Sequence, residues 1–300
     1  MLLLGTTDHL EDLDRQLTIA GDVSVEAIAL ATGGVAPGAY VLVDGDRIVK
    51  VEEYGVAPVA SIGLGRGQSL AAADGGLLVG LDGARLAELM LSERTVAPVR
   101  SFDSVPGRAG WGNPAGETPE LRSIAVTDGG TWLVNVHVGG VWRSVDAGET
   151  WTGVVPPEDD VHEVAAATGL VVAAAARGFG WSHDDGATWQ WTTDGLHAHY
   201  CRAAAVAGGS AYVTASTGPS SRDGRLYRCA VGGSLEPCRG GLPESFPYNL
   251  DTGCLAARQG EVAVGTRDGQ VWRSGDGGRT FEMVTERVGR VRVLRFGSPR

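Results

Sequence analysis

Short apolar runs, each closing near a glycine, recur along this chain: VEAIALATGG from Val25, GQSLAAADGG from Gly67, LRSIAVTDGG from Leu121, VHEVAAATGL from Val161, YCRAAAVAGG from Tyr200 and TGCLAARQGE from Thr252. They are rich in β-branched residues and alanine, too short for a helix and bounded by turn residues, which is the pattern of buried strands. Behind them follow shorter strand-like pieces, GVWR, GFGW and QVWR, and then an octapeptide that repeats almost unchanged: SVDAGETW at 144–151, SHDDGATW at 182–189 and SGDGGRTF at 274–281.

The octapeptides serve as a ruler. Ser144 to Ser182 is 38 residues, and Ser182 to Ser274 is 92, or two repeats of about 46. A degenerate copy is therefore expected between them, and GRLYRCAVGGSLEPC at 224–238 supplies it with Cys229 in place of the serine. Units of about 45 residues with four short strands are the signature of β-propeller blades. Six units lie inside the chain. The tail GRVRVLRFG reads as a further first strand and the head LLLGTTDHLEDLD as a second strand with its sequel.

The expectation is an all-β fold: one domain over 1–300, a seven-bladed propeller of four-stranded antiparallel blades, its ring closed by pairing the two terminal strands. The blades are 23–66, 67–120, 121–160, 161–199, 200–248, 249–287, and 288–300 joined with 1–22. A six-bladed ring with an appendage is the alternative. The loop-rich 81–120 stretch fits least well, and ARLAELMLSE within it has the spacing of one or two helical turns, with Leu86, Leu89 and Met90 on one face.

The octapeptide resembles the Asp-box, or BNR repeat, of sialidases and many other propellers. Its logic is local: Asp146 can accept hydrogen bonds from its own turn, Gly148 can take a positive φ, and Thr150 can bond back, while Trp151 buries an aromatic surface. The same set is Ser144 with these four, then Ser182, Asp184, Gly186, Thr188 and Trp189, then Ser274, Asp276, Gly278, Thr280 and Phe281. The resemblance implies a scaffold role, in the hairpin joining third and fourth strands, on the face away from the usual active site. Calcium at Asp184, Asp185 or Asp276 lacks the dense oxygen ligands that ion prefers. The arginine cluster and tyrosine nucleophile of sialidases do not carry over, DRIVK at 46–50 being the nearest string to their early motif, so sialidase activity is not expected. Over nearly its whole length the chain is similar to sialidase-like BNR-repeat propellers, broadly related to photosystem assembly factors.

Composition narrows the partners. The net charge of −11, with Lys50 the single lysine, leaves no basic face for nucleic acid. The leucines after Met1 are too few for a signal or an anchor, so no membrane partner is expected. Four cysteines in 300 residues do not form a disulfide framework, and a cytoplasmic monomer is expected. Cys229 and Cys238 flank one hairpin, close enough for a disulfide to stand in for the missing box. Cys201 and Cys254 lie in opposite registers of neighbouring first strands, where they could face each other.

Function is sought on the rim opposite the boxes, where long loops converge: 104–120, 155–160, 192–199, 216–224 and 241–251. His137, His162, His197 and His199 fall on this rim; His9 and His183 do not. They are either strand-end caps or a site, which would be an acid–base cluster or, as the one cofactor expected, a divalent transition metal. The second residues of the aligned first strands, Glu26, Gln68, Arg122, His162, Cys201, Gly253 and Arg290, form a mostly polar ring at the channel mouth. Arg122, Arg202 and Arg290 suit an anion, and Glu163, Tyr200 and Asp251 join them as ligand contacts. His162, His199, Tyr200 and Asp251 are the candidate catalytic groups. Two functions follow: a propeller that binds a small molecule, an anion among the candidates, or a protein on this rim, or a metal-assisted or acid–base hydrolase or lyase built on the histidines.

Overall fold

The computed structural model describes residues 1–32, 36–112, 118–230, 232–286 and 288–297. Parts of several expectations lie outside them: the end of the first apolar run (33–34), the middle of the 104–120 loop, position 231 of the degenerate copy, position 287 of the sixth blade and the last three residues of the closing blade. The described chain forms seven four-stranded antiparallel sheets. Six are sequential, over 25–61, 67–98, 121–155, 161–192, 200–237 and 255–285. The seventh takes its inner strand, Val291–Phe296, from the tail and its other three, Leu2–Thr6, His9–Asp12 and Leu17–Gly21, from the head. Leu2 pairs with Phe296 and Leu4 with Leu294, which closes the ring. The count is seven, and the six-bladed alternative falls.

Each blade packs on the next through its own apolar cluster, and there are seven clusters for seven interfaces. A blade therefore has two buried faces, and its strands are apolar on both. Leu2 and Leu4 pack toward the sixth blade and Leu3 toward the first. All three are fully buried, each contributing about 1.5–3 kcal/mol.

The same two-sided burial explains why ARLAELMLSE is not helical. Arg85–Met90 is the third strand of the second blade. Leu86 packs toward the third blade, while Ala87 and Leu89 pack toward the first. A strand with two apolar faces lacks the polar alternation that separates strand from helix by pattern.

The three octapeptides share one hydrogen-bond set in the hairpins between third and fourth strands. Ser144 Oγ donates to Asp146 Oδ1 (2.8 Å) and accepts from Gly148 N (2.8 Å), and Asp146 accepts from Thr150 N (2.9 Å) and Thr150 Oγ1 (2.5 Å). Ser182 to Thr188 and Ser274 to Thr280 repeat it within about 0.2 Å. Gly148, Gly186 and Gly278 all have φ near +80°. A Cβ on Gly186 would lie 2.6 Å from Leu133 of the preceding blade, so the turn also needs glycine for close approach.

The four cysteines are free and buried. Cys229 packs between the fourth and fifth blades and Cys238 between the fifth and sixth; Cys201 packs between the fourth and fifth and Cys254 between the sixth and seventh. Neither expected pairing forms, because each partner points to a different side of its blade. Burial raises their thiols, Cys229 to about 11 and Cys201 and Cys238 to about 12, which removes them as nucleophiles.

Candidate functional site at the channel mouth

The inner strands carry a repeated irregularity. In the first four blades one extra residue sits opposite nothing on the neighbouring strand: Glu26, Gln68, Arg122 and His162. The fifth blade has its bulge between Cys201 and Ala204, and the seventh has Arg292 as its extra residue. A β-bulge turns one side chain out of the alternating pattern, and here it aims Glu26, Gln68, Arg122 and Arg292 into the mouth, while His162 is buried against the next blade. The expected ring is thus corrected at two places. Cys201 is fully buried and Arg202 takes its place, while Arg292, two residues beyond Arg290, holds the seventh position. Aligning strands on terminal glycines slips wherever a bulge falls differently.

A cavity of about 450 Å³ opens here, lined among others by Glu26, Gln68, Arg122, Asp251, Arg290 and Arg292, with Arg295 and Glu163 deeper in. Its cations are partly tied. Arg122 donates to Glu120 (3.0 Å), Arg202 and Arg290 share Asp251 (3.0 and 3.3 Å), and Arg292 lies 3.5 Å from Glu26. Among the described residues Arg295 has no carboxylate within 4 Å; its Nη1 donates to Leu294 O.

Glu163 is a brace. It is the residue after a bulge, the place where the third blade has Ser123, whose Oγ accepts from Val164 N of the next blade (3.0 Å). Glu163 Oε2 likewise accepts from Ala204 N (3.0 Å), and its longer side chain also lets Oε1 accept from Gly253 N two blades away (3.2 Å). Burial pushes its carboxyl up to about 7, although Arg295 and the two amides oppose the rise. Thr252 adds to the brace by donating to Arg202 O (2.9 Å).

Beside the cavity a second cluster forms. His137 follows the second strand of the third blade, Asp160 precedes the inner strand of the fourth, and His162 is that strand's bulge residue. One ligand atom from each lies within 4.8 Å of the others. Asp160 stands 3.4 Å from His162 Nε2 through Oδ2 and 3.5 Å from His137 Nε2 through Oδ1. Arg122 donates to His137 Nδ1 (3.1 Å), so the neutral ring carries its proton on Nε2. Burial, then the Arg122 charge, holds His137 down to about 4. Burial would raise Asp160, but His162, His137 and Arg122 outweigh it and keep the carboxyl below its usual range.

The other expected residues are placed elsewhere on the rim. His197 stacks on Tyr227 and shares a hydrogen bond with its hydroxyl (2.7 Å), with Asp223 3.5 Å from its Nε2. The exposed His199 donates from Nδ1 to Ala176 O (2.6 Å). Neither joins the His137 cluster, because their loop bonds back to the fourth and fifth blades instead. Tyr200 lies with its ring 4.8 Å from His162 and 5.8 Å from the Arg202 guanidinium, and burial raises its hydroxyl. Sequence reasoning missed Arg292, Arg295, Glu120 and Asp160. The only signal for the first two was the crowding of three arginines, at 290, 292 and 295, into GRVRVLRFG.

No family model matches the chain, and no curated protein matches it. Solved structures similar to it are propellers. The WD40 repeats of RRP9 align with a TM-score of 0.64 at 12% identity, covering 99% of this chain and 89% of that one. YCF48 bound to D1 peptide aligns at 0.58 and 12%, covering 94% and 84%. The GH74 enzyme of Niastella koreensis aligns at 0.60 and 16%, covering 93% of this chain, which spans about half (46%) of that enzyme. At such identities the likeness establishes the fold alone. Among the described residues no helix is long and apolar enough to cross a membrane.

Proposed function

We propose that the chain, read as one domain over 1–300, is a non-catalytic propeller that binds an anionic group at the channel mouth. The observation that carries this is the convergence of Arg122, Arg290, Arg292 and Arg295 on one cavity in a chain of net charge −11. Guanidinium matches carboxylate and phosphate geometry, and a walled cavity focuses its positive field. Arg202, which shares Asp251 with Arg290, and Tyr200, whose ring lies 5.8 Å from the Arg202 guanidinium, are the further contacts this reading assigns. The carboxylates there favour binding over hydrolysis: Glu163 is committed to two backbone amides and Asp251 to two arginines.

The shared hydrogen-bond set of the three octapeptides supports reading the chain as an Asp-box propeller whose boxes are scaffold. YCF48, a propeller solved with a peptide bound, supports a peptide end as one form the anion takes.

The test is calorimetric titration with phosphate, with citrate, and with a short peptide bearing either a free or an amidated C-terminus. At least one anion is expected to bind, and Arg292→Ala is expected to weaken it tenfold or more, since a charge-assisted hydrogen bond is worth about 1.5–3 kcal/mol. Silence from every anion, or equal binding to the variant, defeats the proposal.

A further inference from the structure

We infer that His137, Asp160 and His162 form a metal site for a divalent cation of the zinc class, distinct from the arginine-lined cavity. Three protein ligands drawn from two blades, with two imidazole nitrogens and one carboxylate, leave one coordination position open, as zinc sites with an exchangeable fourth ligand do.

The strongest argument is His162. It is fully buried, and its Nδ1 lies 2.6 Å from Cys201 O. A carbonyl only accepts, so Nδ1 holds a proton and Nε2 is the ring nitrogen left to bind a cation. That atom has no hydrogen-bond partner and faces the Asp160 carboxylate at 3.4 Å, whose Oδ1 is also buried and without a partner. A lone pair at Nε2 facing a carboxylate oxygen repels it, and either a proton on Nε2 or a metal ion between the two relieves that repulsion; the buried, unpartnered geometry is the one a metal would complete. Imidazole anchored through one nitrogen to a carbonyl is how proteins orient a metal-binding histidine.

Spacing agrees. Zinc bonds of about 2.0–2.2 Å arranged tetrahedrally put neighbouring ligand atoms roughly 3.3–3.6 Å apart. Asp160 meets His162 Nε2 at 3.4 Å through Oδ2 and His137 Nε2 at 3.5 Å through Oδ1, and one ligand atom from each of the three lies within 4.8 Å of the others, a spread that a small rotation of the carboxylate closes onto one ion. On His137 the cation needs the lone pair at Nε2. The proton therefore has to move within the ring, from Nε2 to Nδ1, where Arg122 now donates. Glu120 Oε2 lies 3.9 Å from Nδ1 and is the acceptor that would take over. Arg122 is therefore an antagonist of the metal, by charge and by tautomer.

The test is titration of the metal-free full-length protein with Zn²⁺ in a non-coordinating buffer, read by competition with a chromophoric chelator. One equivalent is expected to bind. Asp160→Asn, which keeps the side chain's shape, is expected to weaken it at least tenfold, and His162→Ala more. Arg122→Ala is expected to tighten zinc while weakening the anion, a sign reversal that a merely structural arginine does not produce. Absence of stoichiometric binding, unchanged affinity in Asp160→Asn, or unchanged or weaker zinc binding in Arg122→Ala overturns the inference. Circular dichroism melts confirm folding, and should His162→Ala fail to fold, Asp160→Asn still decides. No anion is present, so failure of the anion proposal leaves this result standing.

Discussion

Asp146 and Glu163 are both carboxylates held by two or more donors, yet they titrate in opposite directions. Asp146 sits in the open on a box turn; hydrogen bonds from Thr150 and Ser144 pull its carboxyl down to about 2. Glu163 sits in the channel wall, where burial overrides its two amide donors and raises it to about 7. The box carboxylate finds its partners within four residues of chain. Glu163 finds them 41 and 90 residues away, so it depends on the whole ring. The box face is built locally and the mouth is built by closure.

The largest test of that contrast is deletion of residues 288–300. It removes the inner strand of the closing blade together with Arg290, Arg292 and Arg295, and exposes the apolar clusters on both sides. The chain is expected to lose cooperative unfolding in urea. An unchanged midpoint would mean that closure does not hold the mouth.

Next in size is Glu163→Leu, which strands the amides of Ala204 and Gly253. Each buried amide left unpaired costs about 1–3 kcal/mol, so chemical denaturation should show a loss of about 2–6 kcal/mol for the two. Glu163→Gln should cost less, because one oxygen still accepts. The pH dependence is sharper still. With a folded value about 7 against an ordinary 4.5, the native chain holds the extra proton between those limits. The contribution of this group is therefore full below pH 4.5 and lost as pH rises to 7, a fall on the order of 3 kcal/mol that Glu163→Gln should abolish. A slope unchanged in the variant would place the titrating group elsewhere.

The smallest effects belong to the box. Ser144→Ala removes one hydrogen-bond donor and one acceptor from a single turn and should cost about 1 kcal/mol, leaving anion and zinc binding untouched. Asp146→Asn should change stability only slightly at neutral pH. Its slope runs the other way, since the native carboxylate contributes above pH 3.8 and that contribution is lost as pH falls toward 2. A box variant that altered ligand binding would break the separation of the two faces.

How much was legible follows the same division. The blade count, the box turns and the closure by terminal strands all rest on repeats or on strand-length apolar runs. The mouth was legible only in part. Arg122, His137 and His162 could be assigned to one rim, and the structure brings those three together. His197 and His199, assigned to the same rim by the same reasoning, bond elsewhere. Arg292 was hidden because a glycine-based alignment puts Arg290, two residues earlier, at the place the bulge gives to Arg292, and Asp160 by lying in a loop with no periodicity.

The order of residues by itself determined the repeat, the turn chemistry and the two-faced apolar strands, because these depend on neighbours within one hairpin or on burial that any blade stack provides. Only the tertiary structure decided that Asp160 stands between two histidines, that Glu163 spans three blades and that Arg295 meets no carboxylate among the described residues. Those facts depend on bulge positions and on residues up to 90 apart meeting across a channel, and no local pattern encodes a distance across a ring.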